Sequence, residues 1–174
     1  MKKPIFKCIS IKTFKLTKKD INNICKLKNT YWNHGLKSQL QWFKKNLLNN
    51  DTHNCLIRDK KIIGYTCLRK RNYELYNKKK NYLLFDTLII KKFFRNRNLG
   101  KVLMDYNNYI IKKKKLPSFL ITTKKIKNFY NNNNWKQLNN KFFFKNHKIK
   151  KNKILMSYNF KKKLNKDLII NFWA

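Results

Sequence analysis

Residues Tyr82–Ile90 read YLLFDTLII, and the basic stretch Lys91–Asn98 follows with no Gly, Pro or Ser spacer. A run this apolar is a buried strand. Leu99, Val102, Leu103, Tyr106 and Ile110 then recur at helical spacing and mark a helix of about four turns. That helix closes on Lys112–Lys115, cations that suit the negative end of a helix dipole, and Pro117 stands just beyond. A buried strand feeding directly into an amphipathic helix belongs to architectures in which helices cover a sheet.

The rest of the chain fits that frame. Residues 5–14, IFKCISIKTF, alternate as a strand, and Thr17 with Asp20 forms a capping pair ahead of a helix with Ile21, Ile24 and Leu27 on one face. Leu36, Leu40, Phe43 and Leu47 give a second helix. His53–Arg58 and Ile62–Arg69 are short strands with Asp59-Lys60 at their turn. Phe119–Thr122 is a short buried strand, and Ile126, Phe129 and Tyr130 lie along one side of a short helix. Phe142–Phe144 and Ile154–Phe160 are late strands joined by a basic turn. The expected order is β-α-α-β-β-β-α-β-α-β-β, one mixed α/β domain.

With 174 residues and 21.4 kDa the chain suits one domain with a real core. Its 42% apolar and 15% aromatic content excludes a disordered polybasic tail. No segment is expected to span a bilayer, because Asp86 breaks the longest apolar stretch. The only alanine is Ala174, so no A-x-A cleavage site is read near the start and no signal peptide is expected. Cys8, Cys25, Cys55 and Cys67 form no CxxC pair and read as buried thiols of a reducing, cytoplasmic setting. No metal is expected, since no His, Cys or acidic set has ligand spacing.

Lys and Arg number 44 against seven acids, a formal charge of +37. That balance usually points to nucleic acid. Here Lys, Asn, Ile, Phe and Tyr are abundant while Ala, Gly and Pro number one, three and two, the split between A/T-rich and G/C-rich codons. Much of the lysine is therefore read as compositional drift on solvated faces. Nucleic acid is not expected as the main partner, although the field favours anionic ligands.

The chemistry concentrates in Leu88–Lys101, LIIKKFFRNRNLGK. The first turn of a helix has unpaired N–H groups and partial positive charge. Gly100 lets backbone approach a ligand, and Arg95, Arg97 and Lys101 surround the turn, which together make a phosphate cradle. An ordinary strand-to-helix turn with charged residues is the competing reading. Walker and GxGxxG patterns do not fit, with one glycine and no GK[ST].

This segment resembles the pyrophosphate loop of the GNAT superfamily of acetyl-CoA-dependent N-acetyltransferases. Its signature R/Q-x-x-G-x-G/A follows an L-x-V strand end. Leu88 and Ile90 take the L and V places, Arg95 the R/Q place, Asn98 the first glycine and Gly100 the second. Asn128-Phe129-Tyr130 through Trp135 resembles the family's xFYexxGF segment, with Asn134 in the glycine place. Asp59–Leu68, DKKIIGYTCL, is similar to its early hairpin, with Gly64 at the usual glycine. Asparagine is the residue after glycine that best tolerates left-handed backbone, so both replaced turns are expected to keep their shape.

The resemblance spans about residues 6–160, leaves 161–174 as an apolar tail, and implies a central, mixed, mostly antiparallel sheet flanked by helices. It implies transfer of the acetyl group of acetyl-CoA, as co-substrate, to a primary amine by direct attack in a ternary complex. Leu88, Ile89 and Ile90 would pair with the pantetheine, and an N–H near Ile90 would hold the developing oxyanion. Arg95, Asn96, Arg97, Asn98, Leu99, Gly100 and Lys101 would hold the pyrophosphate, with Asn128 also at the cofactor. Tyr130 is the expected general acid toward the leaving thiolate, against a core packing role. Asp86 is the expected general base or amine-binding group, against a structural ion pair with a nearby cation. If no bulge intervenes, it shares a strand face with Leu88. Trp32 and His34 would line the acceptor pocket, against a capping or surface histidine. The acceptor is left open among amino sugars, polyamines, small amines and protein N-termini, and the assembly between monomer and homodimer. The alternative is a non-catalytic nucleic-acid-binding protein on a GNAT-like scaffold.

Overall fold

The structure is a computed structural model that describes residues 6–144, 152–161, 164–165 and 169–173. The basic turn expected between the last two strands, with His147, lies outside the described residues. The chain forms two compact units. The first comprises Met1–Arg69 and Asp86–Asn107, the second Lys70–Phe85 and Asn108–Ala174.

The first unit begins with β1 (Lys7–Lys12), α1 (Lys18–Asn29), α2 (Leu36–Asn46) and β2 (Thr52–Arg58). It adds the start of β3 (Lys61–Leu75), the end of β4 (Lys78–Ile90) and the first half of α3 (Leu99–Lys113). β1 is shorter than the expected 5–14 strand, because residues Thr13–Lys15 tighten into a 3₁₀ turn. β1 pairs antiparallel with β2, Ile9 opposite Cys55, and β2 with β3, Cys55 opposite Tyr65. At the hairpin Asp59 and Lys60 both have positive φ, 48° and 60°, the two-residue turn whose twist matches its strands. The capping box is formed: Thr17 Oγ1 accepts from Asp20 N–H, and the Asp20 carboxylate accepts from Thr17 N–H.

Pleating sends neighbouring side chains to opposite faces. Cys55, Tyr65, Cys67 and Ile89 pack on Ile24 and Leu27 of α1 and Phe43 of α2. Leu56, Ile63 and Ile90 pack on Leu99 and Leu103 of α3. Gly64 sits where a Cβ would crowd its neighbours, lying 2.7 Å from Ile90 Cδ1, 3.2 Å from Leu56 Cβ and 3.4 Å from Leu103 Cδ2 of α3. Buried Asn107 fixes the helix, accepting from Asn54 at 2.7 Å and Thr66 at 2.8 Å.

In the second unit β3 runs on to Leu75 and turns through Tyr76 and Asn77, both at positive φ, into β4. It then contains β5 (Ser118–Thr123), α4 (Lys127–Asn131), β6 (Lys136–Leu138), β7 (Phe142–Phe144), β8 (Lys153–Tyr158) and β9 (Ile170–Phe172). β4 and β5 pair in parallel at Leu83–Ser118 and Leu84–Phe119. β8 pairs antiparallel with both β5 and β6. β9 pairs antiparallel with β3 and parallel with β7. The extension of β3, and strands β6 and β9, were not expected from periodicity. The core is aromatic, with Tyr73, Tyr82, Phe119, Phe144 and Phe172 in one cluster. The apolar tail thus supplies part of this unit's core, with Ile170 and Phe172 fully buried. Among the described residues no helix is long and apolar enough to cross a membrane.

Candidate functional site

The end of β4 departs from regular strand geometry at Thr87, where φ is 62°. A β-branched residue rarely adopts that conformation, and strain of this kind collects at functional positions. It interrupts the strand alternation between Asp86 and Leu88, so the regular spacing that would put both on one face does not hold. Beyond it, Ile89 faces α1 and α2, and Ile90 faces α3. The Lys91 N–H donates to the Ile63 carbonyl at 2.7 Å. Since successive strand amides point to opposite edges, the Ile90 N–H is turned to the edge away from β3. The Ile90 carbonyl accepts from Arg95 Nε at 2.9 Å.

The basic loop is a short 3₁₀ turn, Lys92–Phe94, followed by Arg95–Asn98. Asn96 and Asn98 have φ of 60° and 58°. The second is the left-handed backbone expected where the family pattern has glycine. That turn leads into α3, and the Asn98 carbonyl accepts from Lys101 and Val102 N–H at 3.1 and 3.2 Å. Arg97 lies over the exposed Phe93 ring at 5.2 Å. Lys101 pairs with Asp105 at 2.7 Å on the exposed side of α3. The Arg95 guanidinium sits 5.5 Å from the Tyr31 ring, and Tyr31 meets Trp32 edge-on at 4.8 Å. This row of contacts joins the loop to the connection between α1 and α2.

There a cavity of about 360 Å³ opens. Its walls include Lys28, Trp32, His34 and Gln39 from α1, α2 and their connection, Trp42 from α2, and Asp86 and Thr87 from β4. The structure therefore brings together Trp32, His34 and Asp86, the three residues expected at an acceptor. Gln39 holds the connection by donating to the Trp32 carbonyl at 2.9 Å. Asp86 is ion-paired with Arg69 at 3.2 Å, and Arg69 also donates to the Asn46 carbonyl at 3.0 Å.

Lys28, Trp42 and Arg69 were missed as site residues. Lys28 is only 6% exposed, with its ammonium 3.7 Å from the centre of the Trp42 ring. Burial lowers its pKa from the ordinary lysine value, opposed in part by Asp86. A signal existed: Lys28 follows Ile21 and Ile24 at helical spacing and so occupies the apolar face of α1.

In the second unit, Tyr130 is 7% exposed on α4 and packs edge-on against Phe85 at 6.3 Å. Its carbonyl accepts from the N–H groups of Asn133 and Trp135 at 3.0 and 3.1 Å. Asn134 closes the turn at φ 65°, again left-handed where the family pattern has glycine. Trp135 is buried, and its Nε1 donates to Asn108 of α3 at 3.0 Å. Asn128 is exposed at the start of α4.

No family model matches the chain, and no curated protein matches it by sequence. Solved structures do. A GNAT family N-acetyltransferase (YhbS) from Escherichia coli in complex with CoA aligns with TM-score 0.67 and 9% identity, over 99% of this chain and 93% of its own. An acyl-CoA N-acyltransferase from Pseudomonas aeruginosa aligns with TM-score 0.66 and 13% identity, over 88% and 99%. The PaiA N-acetyltransferase from Thermoplasma acidophilum, in complex with coenzyme A, gives 0.54 and 18%, also over 88% and 99%. At these identities the likeness is one of fold.

Proposed function

Starting from the GNAT acyl-CoA N-acyltransferase fold, which this chain has, we propose that it transfers the acetyl group of acetyl-CoA to a primary amine. The observation that carries the reading is the junction of β4, loop and α3. Asn98 in left-handed backbone delivers the chain into the first turn of α3, directly after Arg95 and Arg97 in sequence. Solved structures of this fold include complexes with CoA, and this turn fits a pyrophosphate on amide and cation chemistry.

In this reading the amides of the first turn, with Arg95, Arg97 and Lys101, hold the pyrophosphate. Leu88, Ile89 and Ile90 accompany the pantetheine, and the Ile90 N–H, turned away from β3, polarises the thioester carbonyl. Arg95, bound to the Ile90 carbonyl, steadies the peptide that follows that amide. Asp86 attracts and orients the acceptor amine. The Arg69 guanidinium holds its carboxylate at the cavity wall. Tyr130 is the proposed general acid for the departing thiolate, and Asn128 a further cofactor contact.

The test is binding and turnover together. Acetyl-CoA should raise stability by about 2.7 kcal/mol at a hundredfold excess over its dissociation constant, and a short DNA duplex should not compete. Gly100→Val should abolish that shift by blocking backbone approach. Tyr130→Phe should bind acetyl-CoA normally yet lose roughly 10²-fold in turnover. Unaltered acetyl-CoA binding by a folded Gly100→Val protein would displace the cofactor from this loop.

A further inference from the structure

The cavity beside Asp86 has a charge imbalance in its wall. Its one carboxylate, Asp86, is already matched to Arg69. Lys28 therefore adds a positive charge that has no carboxylate in direct contact. The residue is 6% exposed, lines the cavity and rests its ammonium on the Trp42 ring. Among the described residues no carboxylate lies within 4.0 Å of it. A lysine side chain ordinarily reaches water with its charged end. Holding it buried costs free energy unless an anion arrives to pair with it. The lowered pKa has the same cause, and a bound anion would reverse it.

We infer that the acceptor is a small amine carrying its own anionic group, with that group bound at Lys28 and the amine directed to Asp86. The inference rests on the acyl-transfer reading only for what happens to the amine. A cavity of about 360 Å³ accommodates a molecule of amino-acid size. The charge count separates the acceptor classes left open by the sequence. A polyamine would bring a second cation against Lys28. An amino sugar would leave Lys28 unpaired. An amine a few bonds from a carboxylate or a phosphate pairs its anion with Lys28 and leaves the amine free to donate to the Asp86 carboxylate.

The experiment uses matched pairs: α-amino acids with their primary amides, and aminoalkyl phosphates with the corresponding amino alcohols. Binding to the full chain with CoA present is measured by calorimetry, and acetylation by thiol release from acetyl-CoA. The anionic member of at least one pair should bind 10-fold or more tightly than its neutral partner. The carboxylate and phosphate arms identify which anion is read. Lys28→Met keeps the packed stem and removes the charge, and should erase the preference. Lys26→Met removes an exposed charge from the same helix and should change nothing. Equal binding within every pair, a preference that survives Lys28→Met, or no binding by any anionic member overturns the inference. Lys28-dependent binding without acetylation would sink the acyl-transfer reading and leave this one standing. Acetylation without charge preference would do the reverse.

Discussion

His53, given no role from the sequence, is fully buried, with its ring stacked 5.4 Å from Phe43 and 5.9 Å from Tyr65. Both ring nitrogens are engaged, Nδ1 with the Tyr65 hydroxyl at 2.8 Å and Nε2 with the Thr13 hydroxyl at 2.9 Å. Burial pushes its pKa down to about 4, Asp51 opposing and Lys28 and Lys12 assisting. Above about pH 6.5 the imidazole is neutral in both folded and unfolded chains, and its packing contributes in full. As pH falls from there toward 4, the unfolded chain takes up the proton first, so stability is lost, on the order of 3 kcal/mol, with no further loss below the folded pKa. Urea midpoints across that range should show the fall in the native protein and a flatter profile in His53→Gln. Parallel profiles would rule His53 out as the source. At this scale a sequence shows which groups can titrate. It does not show that Lys28 faces a ring and a cavity while Lys26, two positions away, faces water.

The strand–loop–helix element was largely legible in the sequence. Asn98 and Asn134 adopt left-handed backbone where the pattern calls for glycine. Asn98→Gly should therefore move stability by no more than about 1 kcal/mol, whereas the β-branched Asn98→Val should be clearly destabilising. Chemical denaturation of the two variants decides it, and equal stability of both would refute a left-handed Asn98. Gly64 tests the packing of the same element. A side chain there meets Ile90 Cδ1, which can rotate away, and Leu56 Cβ, which cannot. Gly64→Val should cost about 1–3 kcal/mol. It should also lower turnover beyond what the stability loss explains, because Ile90 is displaced. Wild-type turnover in the variant would separate Ile90 from the chemistry. The positive φ at Thr87 was not legible, since nothing in Phe85–Leu88 marks it.

Over the whole molecule, the two units are filled differently. The first has an aliphatic and thiol-rich core, in which burial pushes the Cys55 thiol up to about 12 and holds it protonated. The second closes around the C-terminal strand. Phe172 lies 4.9–6.1 Å from the rings of Phe144, Phe119, Tyr82 and Tyr73. Phe172→Ala should cost about 3–5 kcal/mol by thermal or urea unfolding. A loss under about 1 kcal/mol would mean that β9 is not part of the core.

Local patterning determined the helices, the capping box at Thr17 and Asp20, the hairpin turn at Asp59-Lys60 and the basic loop ahead of α3. Each is set by a few neighbouring residues whose backbone preferences and apolar spacing agree. Only tertiary structure decided the rest. β6 and β9 are three-residue strands that carry no periodicity of their own and exist because β8, β3 and β7 offer them edges. The cavity draws Lys28, Trp42 and Asp86 from three separate elements. Whether a buried charge among them is matched depends on distances that sequence spacing does not contain.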